Sequence, residues 1–194
     1  IVTSDSSLTI TDATEATILI SMATNYFGHQ VPDQLSALIA KAEGKSFDDL
    51  KDDHIAAYYP KFNRVDLNLG ESAASKLPIN KRLTEFNKTK QDQDLMALYF
   101  QFGRYLLISS TREGLLPPNL QGLWCNTVRT PWNGDYHLNI NLQMNLWPAE
   151  VTNLSELHRP LIEWTKKQVS SGEQTAKVFY NSRGWVTHIL GNLW

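Results

Sequence analysis

The sequence has a single cysteine, no long apolar run and no excess of basic residues. The one cysteine, Cys125, excludes a disulfide within the chain and a zinc site built from cysteines. No apolar run approaches the ~18 residues that span a bilayer, and the apolar stretch 16–23 lacks the preceding basic segment of a signal peptide. Eighteen Lys and Arg against twenty Asp and Glu give a net charge of −2, without the basic excess of nucleic-acid-binding domains. We expect neither nucleic acid nor a membrane as a partner.

Several familiar catalytic motifs are also missing. The sequence has no phosphate-binding glycine loop, no nucleophile-elbow serine and no two histidines at the i, i+4 spacing of a helical metal site. These absences leave several common enzyme chemistries without a candidate site.

What is present is an uneven distribution of tryptophan and asparagine. All six tryptophans follow residue 123, and residues 119–153 hold seven asparagines, three tryptophans and only three charged groups. Amides hydrogen-bond to hydroxyl groups and indole rings stack on C–H faces, so this segment suits a neutral polar ligand such as a sugar. The alternative is a buried core in which the amides cap helix ends.

The first half of the chain mixes strand and helix patterns. Residues 8–11 and 16–24 are predicted strands, and two strands cannot bury a face without partners, which favours a fragment of a larger domain. Helical spacing at 35–42 precedes a second helix that Ser46 would cap, and 65–69 alternate like a strand. The polar stretch after Gly70 predicts a linker. We therefore divide the chain into 1–72, a linker at 73–91, and 92–194.

The second half is predicted to be helical around one long loop. A helix that starts at Asp92 and stops near Gly114 carries a wide apolar stripe and should be largely buried. Residues 115–136, with three prolines, predict an irregular loop, and such long loops are usually functional. In this loop Asn119 and Gln121 are expected to act as braces. Further helices are predicted near 140–145, through 161–164, and at 172–180.

The segment 132–148 carries the candidate chemistry. In an extended stretch His137, Asn139 and Asn141 would project to one face, and the intervening Leu138 and Ile140 to the other. Three polar side chains facing a cleft could bind a ligand or fix a water molecule, whereas three facing solvent would form an ordinary exposed edge.

Several segments together resemble glycoside hydrolase family 95, the bacterial and plant α-L-fucosidases with some α-L-galactosidases. They are FGRYLLISS at 102–110, LPPNLQGLW at 116–124, HLNIN at 137–141, WPAE at 147–150 and RGWVTH at 183–188. The resemblance covers essentially the whole chain. It implies an α+β fragment: the C-terminal strands of a β-sandwich with linker helices, then the first helices of an (α/α)6 toroid.

The resemblance also implies a reaction, inverting hydrolysis of terminal α-L-fucosyl linkages, typically α-1,2 to galactose, without a metal or an organic cofactor. Asn139 and Asn141 would hold the attacking water and His137 would bind sugar hydroxyls. Trp124, Trp147, His188 and Trp194 are further candidate substrate contacts. At 187–194 the sequence departs from the pattern of many relatives. A full-sized histidine at position 137 favours fucose over L-galactose.

The family's general acid, a glutamate, and its assisting aspartate would lie beyond Trp194. We therefore expect this chain to be inactive alone and to need the remainder of its catalytic domain. Glu150 is better placed to begin a helix, where a carboxylate favours the dipole, than to act as the acid. The resemblance further implies a fucosylated glycan as substrate and an extracytoplasmic location. The alternatives are an α-L-galactosidase, a non-catalytic glycan-binding protein and, with little basic charge to support it, a glycoside phosphorylase.

Overall fold

A computed structural model describes residues 1–191, so the candidate Trp194 lies outside the described residues. Within that range the chain is mostly helical, with two small two-stranded antiparallel sheets. It divides into two compact units, the first of which ends at Ala57. The predicted mixture of helix and strand is confirmed at this level, while the β-sandwich, the toroid and the domain boundaries remain predictions. In the described part of the chain, no helix is both long enough and apolar enough to cross a membrane.

The first unit contains one hairpin, one complete helix and the first part of a second. Its strands are β1 (Val2–Thr3) and β2 (Leu8–Thr9), its first helix is α1 (Val31–Ala40), and α2 (Phe47–Phe62) begins in it. The predicted cap of α2 is confirmed, because the backbone N–H of Asp49 donates to Ser46 Oγ at 3.1 Å and Asp49 Oδ2 accepts from the Ser46 backbone.

Two strand predictions are wrong. Residues 16–24 and 65–69 have strand-like composition, but neither segment is a strand in the structure. Residues 16–20 are exposed, and within the described range no strand pairs with either segment. A β-branched segment needs a neighbouring strand to complete its backbone hydrogen bonds, so its composition alone does not predict a strand.

The second unit combines helices of 4 to 18 residues with one small sheet. Its helices are α3 (Ile79–Thr89), α4 (Gln93–Ser110), α5 (Asn141–Leu146), α6 (Pro148–Val151), α7 (Arg159–Lys167) and α8 (Val169–Tyr180). Its strands are β3 (Tyr136–His137) and β4 (Leu190–Gly191), and 3-10 turns occupy Ala73–Lys76, Pro131–Gly134 and Ser155–His158. Helix α3 lies where the sequence predicted a linker. Its buried Arg82 forms ion pairs, which the apolar periodicity used for prediction could not reveal.

Helix α4 starts where it was predicted to start, but half of its apolar stripe is exposed. Asp92 is its N-cap and accepts a hydrogen bond from the Leu95 backbone at 3.0 Å. Leu95 and Leu107 are buried, whereas Tyr99 is 76% exposed and Phe102 50% exposed. The prediction that this helix is largely buried is therefore wrong, because no described element covers the face that carries Tyr99.

The core of the second unit lies beneath the predicted site. It joins the end of α4 to β3, α5, α6 and α7 through one cluster of buried side chains. The cluster consists of Leu107, Tyr136, Leu142, Leu146, Ala149, Leu154, Leu157 and Trp164. Burial of this apolar surface fixes the segment 136–149, which contains the candidate histidine and asparagines.

Candidate functional site

The HLNIN motif spans the change from strand β3 to helix α5. The chain is extended at Tyr136–His137, turns at 138–140, and becomes helical at Asn141. The expectation that 137–141 form one extended stretch is therefore wrong. The turn is held by the amide of Gln143, whose Nε2 donates to the Leu138 carbonyl at 2.7 Å. Asn139 thus lies in a turn and Asn141 at the first residue of α5, so simple alternation does not define their common face.

Strand β3 is anchored on its buried side. The Tyr136 hydroxyl donates to the Pro117 carbonyl at 2.7 Å, and its ring lies 5.0 Å from that of Trp164. On the partner strand, a Cβ at Gly191 would lie 2.3 Å from the Trp164 ring. Only glycine allows β4 to pack this closely against Trp164. The contacts among Tyr136, Trp164 and Gly191 therefore fix the position of His137, which follows Tyr136 in the chain.

The sheet brings two of the predicted segments together. His137 pairs with Leu190 in antiparallel register, and the backbone N–H of Leu138 donates to the Ile189 carbonyl at 2.7 Å. His188 therefore lies two residues before β4, the strand that pairs with the start of the motif. Its Nε2 lies 2.7 Å from the Tyr180 hydroxyl, and its ring is exposed. His137 is half-buried and Asn139 is exposed. Their substrate and water roles remain predictions.

Amide side chains brace the loop that precedes the motif. Asn119 Oδ1 accepts from the Gln121 backbone at 2.9 Å, and Gln121 Nε2 donates to the Pro131 carbonyl at 3.0 Å. Asn145 Nδ2 of α5 donates to the Asn119 carbonyl at 2.9 Å. The bracing role predicted for Asn119 and Gln121 is confirmed, and Asn145 extends this network to the helix that Asn141 begins.

The tryptophans near the motif are exposed rather than buried in the core. Trp124 is 44% exposed and Trp147 61% exposed. Trp124 lines a cleft of about 290 Å³, and its ring centroid lies 6.3 Å from that of Tyr105. Exposure leaves both rings accessible, which substrate contact requires, but their roles stay predictions.

Trp132 begins the candidate segment 132–148, but the sequence pattern assigned it no individual role. This residue, Asn133 and Gly134 have positive φ angles of 49°, 56° and 63°, a conformation that bulky residues rarely adopt. The Trp132 side chain is 73% exposed despite this strained backbone. Strained residues cluster at functional sites, and the Asn-Gly pair that follows the tryptophan was the available signal for a left-handed turn.

Charged groups are few around the motif. Glu150 lies in the first turn of α6, as expected from its predicted place at a helix start, and its Oε1 is 2.9 Å from His158 Nδ1. In the preceding loop, hydrogen bonds with Thr127 lower the pKa of the exposed Cys125 thiol. Among residues 1–191, no group of three His, Cys, Asp or Glu side chains is arranged to hold a metal ion.

Comparisons with known proteins agree with the resemblance seen in the motifs. Alpha-L-fucosidase 2 of Arabidopsis thaliana is 40% identical over 161 residues, which cover 80% of this chain and 19% of that protein. Probable alpha-fucosidase A of Aspergillus oryzae is 38% identical over 172 residues, covering 86% and 24% respectively. The protein of the same name from Aspergillus niger is 43% identical over 152 residues, covering 76% and 19%.

These named relatives are plant and fungal, so they do not test the bacterial source that the resemblance suggested. The chain spans about a fifth to a quarter of their length. Residues 46–194 match the glycosyl hydrolase family 95 catalytic domain, a range that includes the whole HLNIN motif. The chain therefore belongs to glycosyl hydrolase family 95.

Proposed function

We propose that this chain is part of an α-L-fucosidase that hydrolyses terminal α-L-fucosyl linkages in glycans with inversion. The observation that carries the proposal is the family match across 46–194, which contains His137, Asn139 and Asn141 in one motif. The names of the relatives, all α-fucosidases, support fucose as the sugar. The α-1,2 linkage to galactose is the form of substrate that the resemblance favours.

In the proposed mechanism the two asparagines orient the attacking water. An amide is a poor base, so Asn139 and Asn141 can hold water by hydrogen bonds but cannot take its proton. Inverting glycosidases place a general acid and a general base on opposite faces of the sugar, with room for water between them. A carboxylate from elsewhere in the catalytic domain must therefore polarise the water that the amides hold.

His137 is proposed to bind hydroxyl groups of the fucosyl unit. Strand pairing with Leu190 and the buried neighbour Tyr136 restrain its backbone, which lowers the entropy cost of presenting the ring to a ligand. Its size would crowd the extra C6 hydroxyl of L-galactose, so we expect fucose to be preferred.

We further propose that the 194-residue chain alone does not hydrolyse the substrate. Glu150, the glutamate nearest the motif in sequence, is exposed and pairs with His158, and the family's acid is expected beyond Trp194. The rest of the catalytic domain would then supply the acid and the assisting aspartate. An extracytoplasmic location remains part of this proposal.

The test compares L-fucose release from 2′-fucosyllactose by the longer protein that contains this chain and by residues 1–194 alone. We expect only the longer protein to release L-fucose. We also expect it to cleave the corresponding α-L-galactoside much more slowly than 2′-fucosyllactose. Faster release of L-galactose would favour the α-L-galactosidase alternative. Binding of the intact trisaccharide without hydrolysis by the longer protein would favour the glycan-binding alternative and contradict the proposal.

A further inference from the structure

A cleft of about 290 Å³ lies between the second half of α4 and the loop 118–124. Leu106 and Leu107 of α4 line it, and Trp124 forms part of its wall on the side of the loop. The polar groups of Ser110, Gln121 and Asn145 also line it.

The wall is held in place by groups that permit little movement. Gly122 has a φ of +69°, and a Cβ on it would lie 2.8 Å and 2.9 Å from two carbon atoms of the Trp124 ring. Glycine at this position therefore lets the indole lie against the backbone. The Gln121 and Asn145 amides each donate to a backbone carbonyl, of Pro131 and Asn119 respectively. Such fixed polar groups lose little entropy when a ligand binds.

The lining suits an uncharged sugar. It combines an aromatic ring, two amides and a hydroxyl with aliphatic side chains of α4 and the loop, and none of its lining residues is Lys, Arg, Asp or Glu. The ring can pack on the C–H face of a pyranose while amide and hydroxyl groups bond to its hydroxyls. A phosphate or a uronic acid would lack a counter-charge in this cleft.

The cleft is also close to the proposed water site along one helix. Asn145 lines the cleft, and Asn141 lies four residues earlier in the same helix α5. Residues at i and i+4 share a helix face, with Cβ atoms about 5–6 Å apart. A glycan whose fucosyl bond is cleaved beside Asn141 would therefore have its next sugar within reach of Asn145.

We propose that this cleft is the acceptor subsite, which binds the neutral sugar to which fucose is attached. The proposal rests on the proposed function, because only a fucosidase has a fucosyl acceptor to bind. It assigns Trp124 to the acceptor rather than to the fucosyl unit itself.

The test uses product inhibition, which separates the two sugars. In the longer protein, Trp124→Ala should raise the inhibition constant of lactose, the acceptor released from 2′-fucosyllactose, by about 5- to 10-fold. The inhibition constant of L-fucose should change by less than about twofold. Tyr99→Ala is the matched control, because it removes an exposed aromatic ring of α4 that does not line the cleft.

Two outcomes would overturn the proposal: an unchanged lactose constant in Trp124→Ala, or equal increases for lactose and L-fucose. Gly122→Ala provides a second variant, in which the ring is displaced but retained, and it should also weaken lactose inhibition selectively. Lactose binding to the wild-type protein is measured in parallel by calorimetry. The wild-type protein could release no fucose and still bind lactose in a way that Trp124→Ala weakens. That result would contradict the proposed function but leave the cleft as a sugar-binding site. Failure of the proposed function can therefore be told apart from failure of the acceptor-subsite proposal.

Discussion

Two polar clusters of the second unit are held together in different ways. The first, which we call the charged anchor, consists of Ser72, Arg82, Asp92 and Asp94. In it Arg82 Nη2 donates to Asp92 Oδ1 and to Asp94 Oδ2, each at 2.8 Å. Arg82 and Asp92 are both buried. The second cluster, the amide loop of residues 119–145, depends on uncharged groups, and several of its side chains remain exposed.

The difference separates stability from binding. In the charged anchor both Asp92 carboxylate oxygens accept hydrogen bonds, from Arg82, Ser72 and the Leu95 backbone, and the side chain is buried, so Asp92 is not accessible to a ligand. In the amide loop, each asparagine can bond the backbone with one amide atom and keep the other available. We therefore expect loss of the ion-paired side chains of the anchor to affect stability, and loss of the polar side chains of the amide loop to affect catalysis and binding.

The largest effect on stability is expected from Asp92→Ala. The change leaves Arg82 buried without its main partner and removes the N-cap of α4, so the melting temperature should fall by roughly 5–10 °C. Calorimetry of the longer protein measures this fall, with Glu85→Ala as the control because its ion pair with Lys88 is exposed. Equal melting temperatures for the two variants would remove the distinction between the clusters.

The same anchor should also make stability depend on acid. The Arg82 guanidinium, followed by the Leu95 N–H and the Ser72 hydroxyl, lowers the pKa of Asp92 to about 2. Because the unfolded pKa is higher, the stabilisation is complete above about pH 4 and is lost as the pH falls through 2. The difference in melting temperature between wild type and Asp92→Asn should shrink over that range. A constant difference would contradict this assignment.

The largest effect on catalysis is expected from Asn141→Ala. Loss of a group that positions the attacking water should lower kcat by about 100-fold or more, with the melting temperature nearly unchanged. Asn87→Ala, which removes an exposed asparagine of α3, is the matched control. A kcat within about threefold of wild type would exclude the proposed role of Asn141.

A smaller effect is expected from His137→Ala. Losing hydrogen bonds to the fucosyl unit should weaken its binding by roughly 1–3 kcal/mol, seen mainly as a higher KM. His29→Ala, in the exposed N-terminal segment, should leave KM unchanged. If KM and kcat of the His137 variant both match wild type, the ring does not face the substrate.

The smallest effect is expected from Gly134→Ala. An alanine there must adopt a φ of +63° with its Cβ 3.2 Å from Gln121 Oε1, so stability should fall by about 1–2 kcal/mol. Gly103→Ala is the control, because its Cβ would have nothing within 4 Å and alanine favours a helix. A melting temperature for Gly134→Ala as high as that for Gly103→Ala would contradict the strain assigned to this turn.

The sequence predicted features set by local contacts and by motifs. The cap at Ser46 depends on a residue three positions away, the start of α4 near Asp92 depends on an apolar repeat within the helix, and the family depends on contiguous segments. Arg104 shows why other features escaped prediction. It is buried in an apolar helix, and its Nη atoms donate to the carbonyls of Lys61 and Phe62 at the end of α2. Such partners lie more than forty residues away and are backbone atoms, which no residue pattern identifies.

The sequence identified the motif of the candidate site, whose residue roles remain predictions, but it did not identify the backbone shape of that motif. The motif identified His137 and Asn141, but the alternation rule assumed an extended backbone through 141. Helix α5 begins at Asn141, and side-chain bonding by Gln143 stabilises the turn before it. Trp132 was assigned no individual role because its significance lies in a positive φ angle, which depends on the fold around it.

The central claim, that amide-held water attacks the fucosyl carbon directly, is tested most directly by the anomer first released. The longer protein is mixed with 2′-fucosyllactose and followed by NMR at early times, before mutarotation. The account predicts β-L-fucose as the first product, at a rate greatly reduced in Asn141→Ala. Early release of α-L-fucose would show retention of configuration and contradict attack by a water held on Asn139 and Asn141.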